Sequence, residues 1–362
     1  VDAALGLAGD EWLARQAVLG ESTLRLYTYK NHCALCGRFQ EIANEIHLDY
    51  CREQGIAVNR RPTGGGAIFM GAGQLGIALC LPGKKTDAYG RAREIMNRFS
   101  GGIVAALQKL NIDARFRRKN DIEVAGKKIA GLGIYRTASG GLLFHASLLL
   151  DMDIARMLRV LDTPFEKISD KEVETVAGRI TTVQREKAQA LTMAELKTTV
   201  LDGYRREFGV TFDPRPFGPR EEAAIAILAR EKYQTEAWVY QPSPVTDAGG
   251  RAKVKTPQGL LDVRLTLAGE QIKAVYIRGD FFMAEQVVAD LEGYLRWHPA
   301  NPQKIHATLN RVRERHVDNL VAFPLKALEM AINTAVTRAK QIDKKNKSQP
   351  YGCFVTPGGS HV

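Results

Sequence analysis

None of the apolar runs in this 362-residue chain reaches the ~20 residues that a membrane-spanning helix needs. The opening stretch Val1–Asp10 has no basic region followed by an apolar core, so no signal peptide is expected there. Cysteine is scarce: Cys33, Cys36, Cys51, Cys80 and Cys353 are all there is. So low and odd a count argues against a disulfide framework and for reduced thiols in a cytoplasm. No segment repeats. With 45% apolar and 25% charged residues, the composition is that of a globular protein and excludes disorder or a collagen-like fibre.

Positive charge is in surplus. Lys and Arg number 51 against 40 Asp and Glu, a formal net charge of +11. That surplus favours anionic partners: nucleotides, phosphates, nucleic acid or acidic proteins. No helix-turn-helix, zinc-finger or aromatic-basic ribonucleoprotein pattern supports the nucleic-acid option. At ~100–200 residues per domain, the length suggests two domains.

Hydrophobic periodicity predicts a helix over Leu7–Leu19 and strands over Thr23–Tyr29 and Ala34–Phe39. Glu41–Gly55 reads as a helix ended by glycine. Short strands follow at Ile56–Arg60, Ala67–Met70 and Leu75–Cys80, then a long helix at Tyr89–Leu110. Ile112–Arg117, Ile122–Val124, Lys127–Ile134 and Gly141–Leu150 read as strands, with a turn at Ala125-Gly126. Helices at Thr192–Phe208 and Glu221–Glu231 complete this region. Short strands with helices set apart argue for α+β and against a regular βαβ repeat. The stretch from Gln241 to Gly250 has the composition of a linker. Beyond it, a hairpin of Gly259–Leu267 and Gln271–Ile277 precedes helices at Met283–Leu295, Asn301–Arg313 and Ala322–Ile342. That set suggests a small α/β domain. The polar tail Asp343–Val362 is expected to be mobile.

The densest chemical signal is Arg60-Arg61-Pro62-Thr63-Gly64-Gly65-Gly66. Three successive glycines between strands carry an entropic cost. They make sense where backbone must approach a ligand, its N–H groups aimed at a phosphate and Arg60 or Arg61 adding charge. A flexible surface hairpin is the plain alternative. The closing Gly-Lys-Ser/Thr of a P-loop is missing. The second signal joins Asn120-Asp121 to Gly126-Lys127-Lys128-Ile129-Ala130-Gly131. A lysine there can stabilise charge during attack on a phosphate, and Asp121 can hold Mg²⁺ or order a nucleotide. Strand neighbours face opposite ways, so at most one of Lys127 and Lys128 faces a site. A solvated basic hairpin is the alternative. His145 lies in an apolar strand, where histidine is more often structural, and no Cys or His stands near it at zinc spacing. Cys33 and Cys36 have no second pair and read as core thiols.

Taken in order, these motifs resemble those of the lipoate–protein ligases, within the biotin/lipoate ligase and octanoyltransferase superfamily. The family's Gly-Arg-x-Gln is here Gly37-Arg38-Phe39-Gln40, and its Arg-Arg-x-Ser/Thr-Gly-Gly-Gly loop is Arg60 to Gly66. Asn120-Asp121 and Gly126 to Gly131 follow, then His145 to Leu149 for His-x-x-Leu-Leu. Arg179-Ile180-Thr181 is similar to the family's Arg-Val-Thr, and Gly279-Asp280-Phe281-Phe282 to a stretch of the ligases' accessory domain. The likeness runs in order from about Leu5 to Leu320.

The resemblance implies a class II synthetase-like catalytic domain over residues 1–232 and a smaller α/β accessory domain over residues 250–342. It implies activation of lipoate by ATP and Mg²⁺ to lipoyl-AMP, then transfer to a lysine of an acceptor. That acceptor would be an acidic lipoyl domain or lipoate-binding protein. Lys128 would be catalytic, beside the acyl carbonyl and phosphate. Arg61, Thr63, Gly64, Gly65 and Gly66 would bind ATP or the acyl-adenylate, together with Asn120, Asp121, Gly126 and Gly131. Asp121 would hold the metal. Arg38, Ile68, Leu75, Ile77, Leu143 and His145 would line the lipoate pocket. Neither nucleic acid nor membrane is expected as a partner, and a cytoplasmic monomer is expected.

The sequence departs from the family pattern at Met70, where histidine often follows the triple glycine, and at Phe144, where many ligases carry a second histidine. Ala146-Ser147 replaces the usual Gly-Thr. An octanoyltransferase acting through a cysteine thioester is a rival reading, yet no cysteine lies between Cys80 and Cys353. Biotin ligase is disfavoured because its Gly-Arg-Gly-Arg loop is missing. A non-catalytic relative that binds lipoyl or adenylate groups is the third reading.

Overall fold

The computed structural model describes residues 1–17, 20–83, 89–117, 120–161, 178–187, 189–241 and 249–348. In chain order its strands are β1 (Thr23–Tyr27), β2 (Cys33–Cys36), β3 (Ala57–Arg60), β4 (Ile68–Met70), β5 (Gln74–Pro82), β6 (Ala114–Phe116), β7 (Asp121–Val124), β8 (Lys127–Arg136), β9 (Gly141–Leu149), β10 (Gly250–Thr256), β11 (Gly259–Ala268), β12 (Gln271–Gly279) and β13 (His298–Pro299). They form three sheets, and the expected α+β class holds.

The largest sheet runs β1-β5-β9-β8-β7-β6 and is antiparallel at every pairing. Leu75, Ile77 and Leu148 on one face pack with Ile103 and Leu107 of the Ala92–Lys109 helix and Leu196 and Val200 of Met193–Phe208. On the other face, Leu13 and Ala14 of the Ala3–Gln16 helix cover Ala78, Cys80 and Leu143. In the small sheet, β2 pairs with β3 in parallel and with β4 antiparallel. Here Ala34 and Cys36 join one buried cluster, and Cys33 and Leu35 another. Burial on both faces explains why these four residues are uniformly apolar.

The sheet β10-β11-β12-β13 and the helices Glu285–Leu295, Pro302–Arg315 and Leu325–Ser348 build a separate core around Leu261, Val263, Leu291 and Ile332. Phe39, from the first region, joins that core, stacked on Phe281 at 4.9 Å between ring centres. The Gly279 N–H donates to the Phe39 carbonyl at 2.9 Å.

Several expected elements differ. The Glu41–Gly55 helix is broken into a 3₁₀ turn at Ile42–Asn44 and a helix at Leu48–Glu53. Ile46 is diverted to pair with Leu161, and the His47 N–H donates to the Val160 carbonyl. The second strand stops at Cys36 because the Gln40 N–H turns back to the Gly37 carbonyl. Gly250, read as linker, instead opens β10. The last helix extends past Ile342 to Ser348, into the tail expected to be mobile. Leu19, the Pro242–Ala248 part of the linker and the tail from residue 349, with Cys353, lie outside the described residues.

Both ends of Met193–Phe208 are written locally. Thr192 and Glu195 form a capping box, and Gly209 closes the helix at φ 63°. Its crossing with Ala92–Lys109 depends on facing glycines. A Cβ on Gly203 would stand 2.2 Å from the Gly102 carbonyl oxygen. Helix propensity favours alanine over glycine by ~0.5–1 kcal/mol. Gly203→Ala is nevertheless expected to lower stability by about 1–3 kcal/mol, because the methyl has no room. Urea denaturation followed by circular dichroism measures this, and an unchanged or raised midpoint would refute the close crossing.

Candidate functional site

Arg60 and Arg61 are adjacent at the end of β3, so their side chains diverge. Arg60 is fully buried and donates to the carbonyls of Gly37 (2.8 Å), Gln40 (2.7 Å) and Val239 (3.1 Å). Arg61 donates to the Leu35 carbonyl at 2.8 Å and the Thr63 hydroxyl at 3.0 Å. Its Nη2 donates to the carbonyls of Gly64 (3.0 Å) and Gly66 (2.5 Å). The triple-glycine loop is therefore wrapped around one guanidinium. Burial brings the pKa of Arg61 down to about 10, which leaves it a cation at neutral pH. Gly65 sits at φ +91°, and a Cβ on Gly37 would stand 1.9 Å from the Gly65 carbonyl oxygen. Neither position accommodates a side chain without moving the loop.

The β7–β8 hairpin carries the second motif. Ala125 and Gly126 both have positive φ, 46° and 80°, as a two-residue turn requires. Lys127 is exposed and Lys128 half-buried, so Lys128 is the one that faces inward. Its backbone is clamped: the Lys128 N–H donates to the Arg179 carbonyl, and the Thr181 N–H to the Lys128 carbonyl, both at 2.8 Å. Lys128 Nζ lies 2.6 Å from Asp121 Oδ1, although that oxygen accepts no well-directed hydrogen bond. A Cβ on Gly131 would stand 3.1 Å from Lys128 Nζ, so this glycine leaves space for the ammonium. Asn120 Nδ2 donates to the Leu132 carbonyl at 2.8 Å.

Both motifs open on one cavity of about 270 Å³. Its polar lining includes Arg61, Asn120, Asp121, Lys128, His145 and Ser147. Its apolar lining includes Leu7, Tyr27, Tyr29, Leu35, Ile68 and Met70. The Tyr27 hydroxyl donates to Asp10 at 2.7 Å, and Arg25 pairs with the same carboxylate at 2.5 Å. His145 Nε2 meets Thr63 Oγ1 at 3.1 Å, joining β9 to the glycine loop. A Cβ on Gly133 would lie 2.5 Å from that nitrogen. Burial first, and the Arg61 charge second, push the pKa of His145 down to about 3, so the ring is neutral.

Of the residues expected from sequence, Arg61, Gly66, Asn120, Asp121, Lys128, Gly131, Ile68 and His145 line this cavity. Thr63 is one hydrogen bond behind it. Gly65 lines a neighbouring cavity, described below, and Gly64 packs against the Phe281 carbonyl. Gly126 serves the hairpin turn. Four residues expected in a lipoate pocket lie outside the lining of this cavity. Leu75 and Ile77 flank Gly76, which lines the cavity, so they point to the opposite face of β5. Leu143 shares a strand face with His145 but is packed under the first helix. Arg38 donates to Glu285 at 2.9 Å and lies over the Trp238 ring at 4.8 Å, outside the cavity lining. Tyr27, Tyr29, Leu7 and Ser147 were not singled out as site residues. The alternation of Tyr27 and Tyr29 was the available signal for two of them.

Cys33, Cys36, Cys51 and Cys80 are all buried, and none lines the cavity. Burial pushes the Cys36 and Cys51 thiols up to about 11, and those of Cys33 and Cys80 well above the usual thiol range. Among the described residues, no group of three or more His, Cys, Asp or Glu could hold a metal ion. Asp121 therefore belongs to no such group, and suits an ion that takes most of its ligands from substrate phosphates and water. No helix among the described residues is long and apolar enough to cross a membrane.

A second cavity, of about 630 Å³, lies between the glycine loop and the segment following β12. It shares Gly66, Asn120 and Asp280 with the first.

Lipoate–protein ligase 1 of Staphylococcus aureus is 27% identical to this chain over 295 residues, covering 81% of this chain and 86% of that one. Octanoyltransferase LipM of Halalkalibacterium halodurans is 24% identical, covering 66% of this chain and 95% of that one. A solved chain from the archaeal lipoylation system of Thermoplasma acidophilum, a bipartite lipoate protein ligase and its E2 lipoyl domain, superposes with a TM-score of 0.58 at 27% identity. It covers 66% of this chain and 91% of that one. A lipoate-protein ligase A bound with ATP gives 0.56 at 25% identity, covering 66% and 93%. The profile of the lipoyl protein ligase A/B catalytic domain matches residues 2–205, the part that builds the six-stranded sheet and all of the amphipathic cavity's lining except Asp280. A match over more than half of its length makes this chain a member of the lipoyl protein ligase A/B catalytic domain family.

Proposed function

We propose that this protein is an ATP-dependent lipoate–protein ligase, with catalysis in residues 1–232 and an accessory domain in residues 250–342. The observation that carries the reading is a single cavity whose apolar lining adjoins Arg61, Lys128, Asn120 and Asp121. Its apolar residues suit a medium-length acyl chain, each buried methylene contributing about 0.8 kcal/mol. Its cations suit the carboxylate and phosphates that the same substrate pair brings. The ATP-bound relative and the ligase paired with its lipoyl domain support the same choice of substrates.

In this reaction the lipoate carboxylate attacks the α-phosphorus of ATP, the bond to the bridging oxygen breaks, and pyrophosphate leaves. Lys128 and Arg61 stabilise the charge that builds on the phosphoryl oxygens. Arg61 is held by four hydrogen bonds and Lys128 by a clamped backbone, so their charges are already in position. Asp121 would hold Mg²⁺, which supplies neutralisation of the phosphate charge. An acceptor lysine then takes the acyl group from lipoyl-AMP. The net charge of +11 favours association with an acidic acceptor. The acceptor protein itself, a soluble cytoplasmic setting and a monomeric state belong to the same proposal.

The octanoyltransferase relative makes a thioester route the second reading. It requires a thiolate at the acyl carbonyl. The buried cysteines sit outside the cavity with raised pKa values, which disfavours that route. Cys353 lies outside the described residues.

Mass spectrometry of the protein with ATP, Mg²⁺ and R-lipoate, octanoate serving as control, tests the reading before any acceptor is added. A bound acyl-AMP species is expected. An octanoyl thioester on any cysteine after exposure to octanoyl-carrier protein would instead favour the transferase. Lys128→Ala is expected to slow adenylate formation about 10²–10³-fold in a folded protein. Near-normal turnover would remove Lys128 from the mechanism. His145 gives a pH test. Its pKa in the folded chain, about 3, lies below the ordinary value of 6.5. Its contribution to stability is therefore complete above about pH 6.5 and falls, by up to ~1.4 kcal/mol per unit, as pH drops toward 3. His145→Gln should flatten that part of the stability profile, and an unchanged slope would show that the ring protonates freely in the native state.

A further inference from the structure

A further cavity, of about 330 Å³, lies where the turn before β2 meets the turn before β3. It shares no lining residue with the reaction cavity. Lys30, His32 and Arg156 line it, with the amides of Asn31 and Gln54, and its lining holds no Asp or Glu. Of the three basic side chains, Arg156 has a carboxylate beside it: Asp153 Oδ2 lies 3.8 Å from Arg156 Nε, and both side chains are well exposed. A pair that long and that open constrains the guanidinium little.

His32 is the sharper observation. Its ring stacks on Phe69 at 5.0 Å between centres. The fit depends on Gly71, where a Cβ would stand 2.5 Å from His32 Nδ1. That nitrogen is enclosed and has no hydrogen-bond partner. Nε2 has no protein partner among the described residues either, but it is not enclosed. A neutral imidazole carries one proton. With no acceptor at Nδ1, that proton belongs on Nε2, which presents it to the cavity. Stacking fixes the ring, so the donor is held in place before any ligand arrives. The helix Leu48–Glu53 also ends here, and the free carbonyls of a last turn would favour a cation. These are occupied: Tyr50, Cys51 and Arg52 accept from the N–H groups of Gln54, Ile56 and Gly55.

We propose that this cavity binds a phosphate group, free or carried by a small polar molecule, with His32 Nε2, Lys30 and Arg156 as its donors. A guanidinium fork and an ammonium are the side chains suited to phosphate oxygens. The lining offers Ile56 as its one large apolar residue, and its one ring, His32, is already stacked on Phe69. A nucleotide base would therefore find no face to stack on, whereas the two amides suit hydroxyl groups. This site is separate from the reaction cavity and does not depend on the ligase reading.

The full-length chain, labelled with ¹³C at histidine Cε1, is titrated by NMR with inorganic phosphate and separately with glycerol 3-phosphate. The pH is neutral, and sodium chloride holds the ionic strength constant. His32→Asn assigns the His32 signal by its loss. A saturable shift of that signal is expected, with a midpoint in the millimolar range or below. Lys30→Gln and Arg156→Gln, both at exposed positions, should each raise the midpoint about tenfold. A lower midpoint for inorganic phosphate assigns the site to the free ion, and a lower one for glycerol 3-phosphate to a phosphate monoester. A His32 signal that saturates with neither, or midpoints that both variants leave unchanged, would overturn the proposal. So would a shift confined to the His145 signal, which would put the anion in the reaction cavity instead. No turnover enters the measurement, so a failure here leaves the ligase reading standing, and a failure of that reading leaves this one.

Discussion

A buried guanidinium surrounded by carbonyl oxygens sets the frame of this molecule. Arg60 is completely enclosed, and its Nε and Nη1 donate to backbone on both sides, Gly37 and Gln40 on one and Trp238 and Val239 on the other, while the buried Nη2 has no hydrogen-bond partner. Burying such a charge is unfavourable unless its N–H groups are taken up. The same bonds serve the carbonyls, since a buried carbonyl left without a donor costs about 1–3 kcal/mol. These segments are some two hundred residues apart in sequence, so the arginine fixes a contact that no local propensity specifies. The indole Nε1 of Trp238 donates back to the Arg60 carbonyl at 2.8 Å, which closes the connection.

What Arg60 does for the outer frame, Arg61 does for the loop. Four hydrogen bonds from one side chain hold a run of glycines that would otherwise sample many conformations. Once Thr63 is placed, His145 on β9 can meet it, and Gly133 on the neighbouring strand leaves room for the ring. A neutral imidazole is what such a place tolerates, because a second cation beside Arg61 would be repelled and desolvated together. The small sheet and the large sheet are thus joined at the cavity through polar contacts. Tyr27, Ile68 and Met70 are left to form the apolar part of the cavity lining.

Much of this was legible in the sequence, and the failures have causes. The order of strands and motifs could be read because turns and glycines punctuate it. Alternation limited the inward lysine to one of two, but the clamp that holds Lys128 comes from Arg179 and Thr181, some fifty residues away. Leu75 and Ile77 pack away from the cavity, which the sequence does not reveal because β5 is buried on both faces and has no polar side to show strand parity. Arg38 is drawn outside the cavity by Glu285, a partner 247 positions later that no local pattern announces. The approach of Gly37 to the Gly65 carbonyl leaves no spacing pattern at all. β10 was legible in the alternation of Ala252, Val254 and Thr256, but the preceding glycines masked it. Met70 departs from the family pattern, and its place in the apolar lining gives it a physical role: it adds thioether surface where a histidine would add a polar group.

The weak point in the polar lining is useful to the proposed reaction. Lys128 and Asp121 sit 2.6 Å apart, but each side chain keeps roughly a third of its surface open, 35% and 27%. A pair so exposed is held by about 0–1 kcal/mol. That is enough to orient the ammonium over Gly131 while the cavity contains only water. It is little to give up when a polyphosphate, which carries more negative charge than one carboxylate, enters the cavity. An incoming nucleotide can therefore take the ammonium from Asp121, and the carboxylate released is then free for the cation that accompanies the nucleotide. A fully buried pair would have kept both groups. The shallow placement of the hairpin, set by the turn at Ala125-Gly126 and the clamp at residues 179–181, allows the same two side chains to be paired with each other before binding and with substrate afterwards.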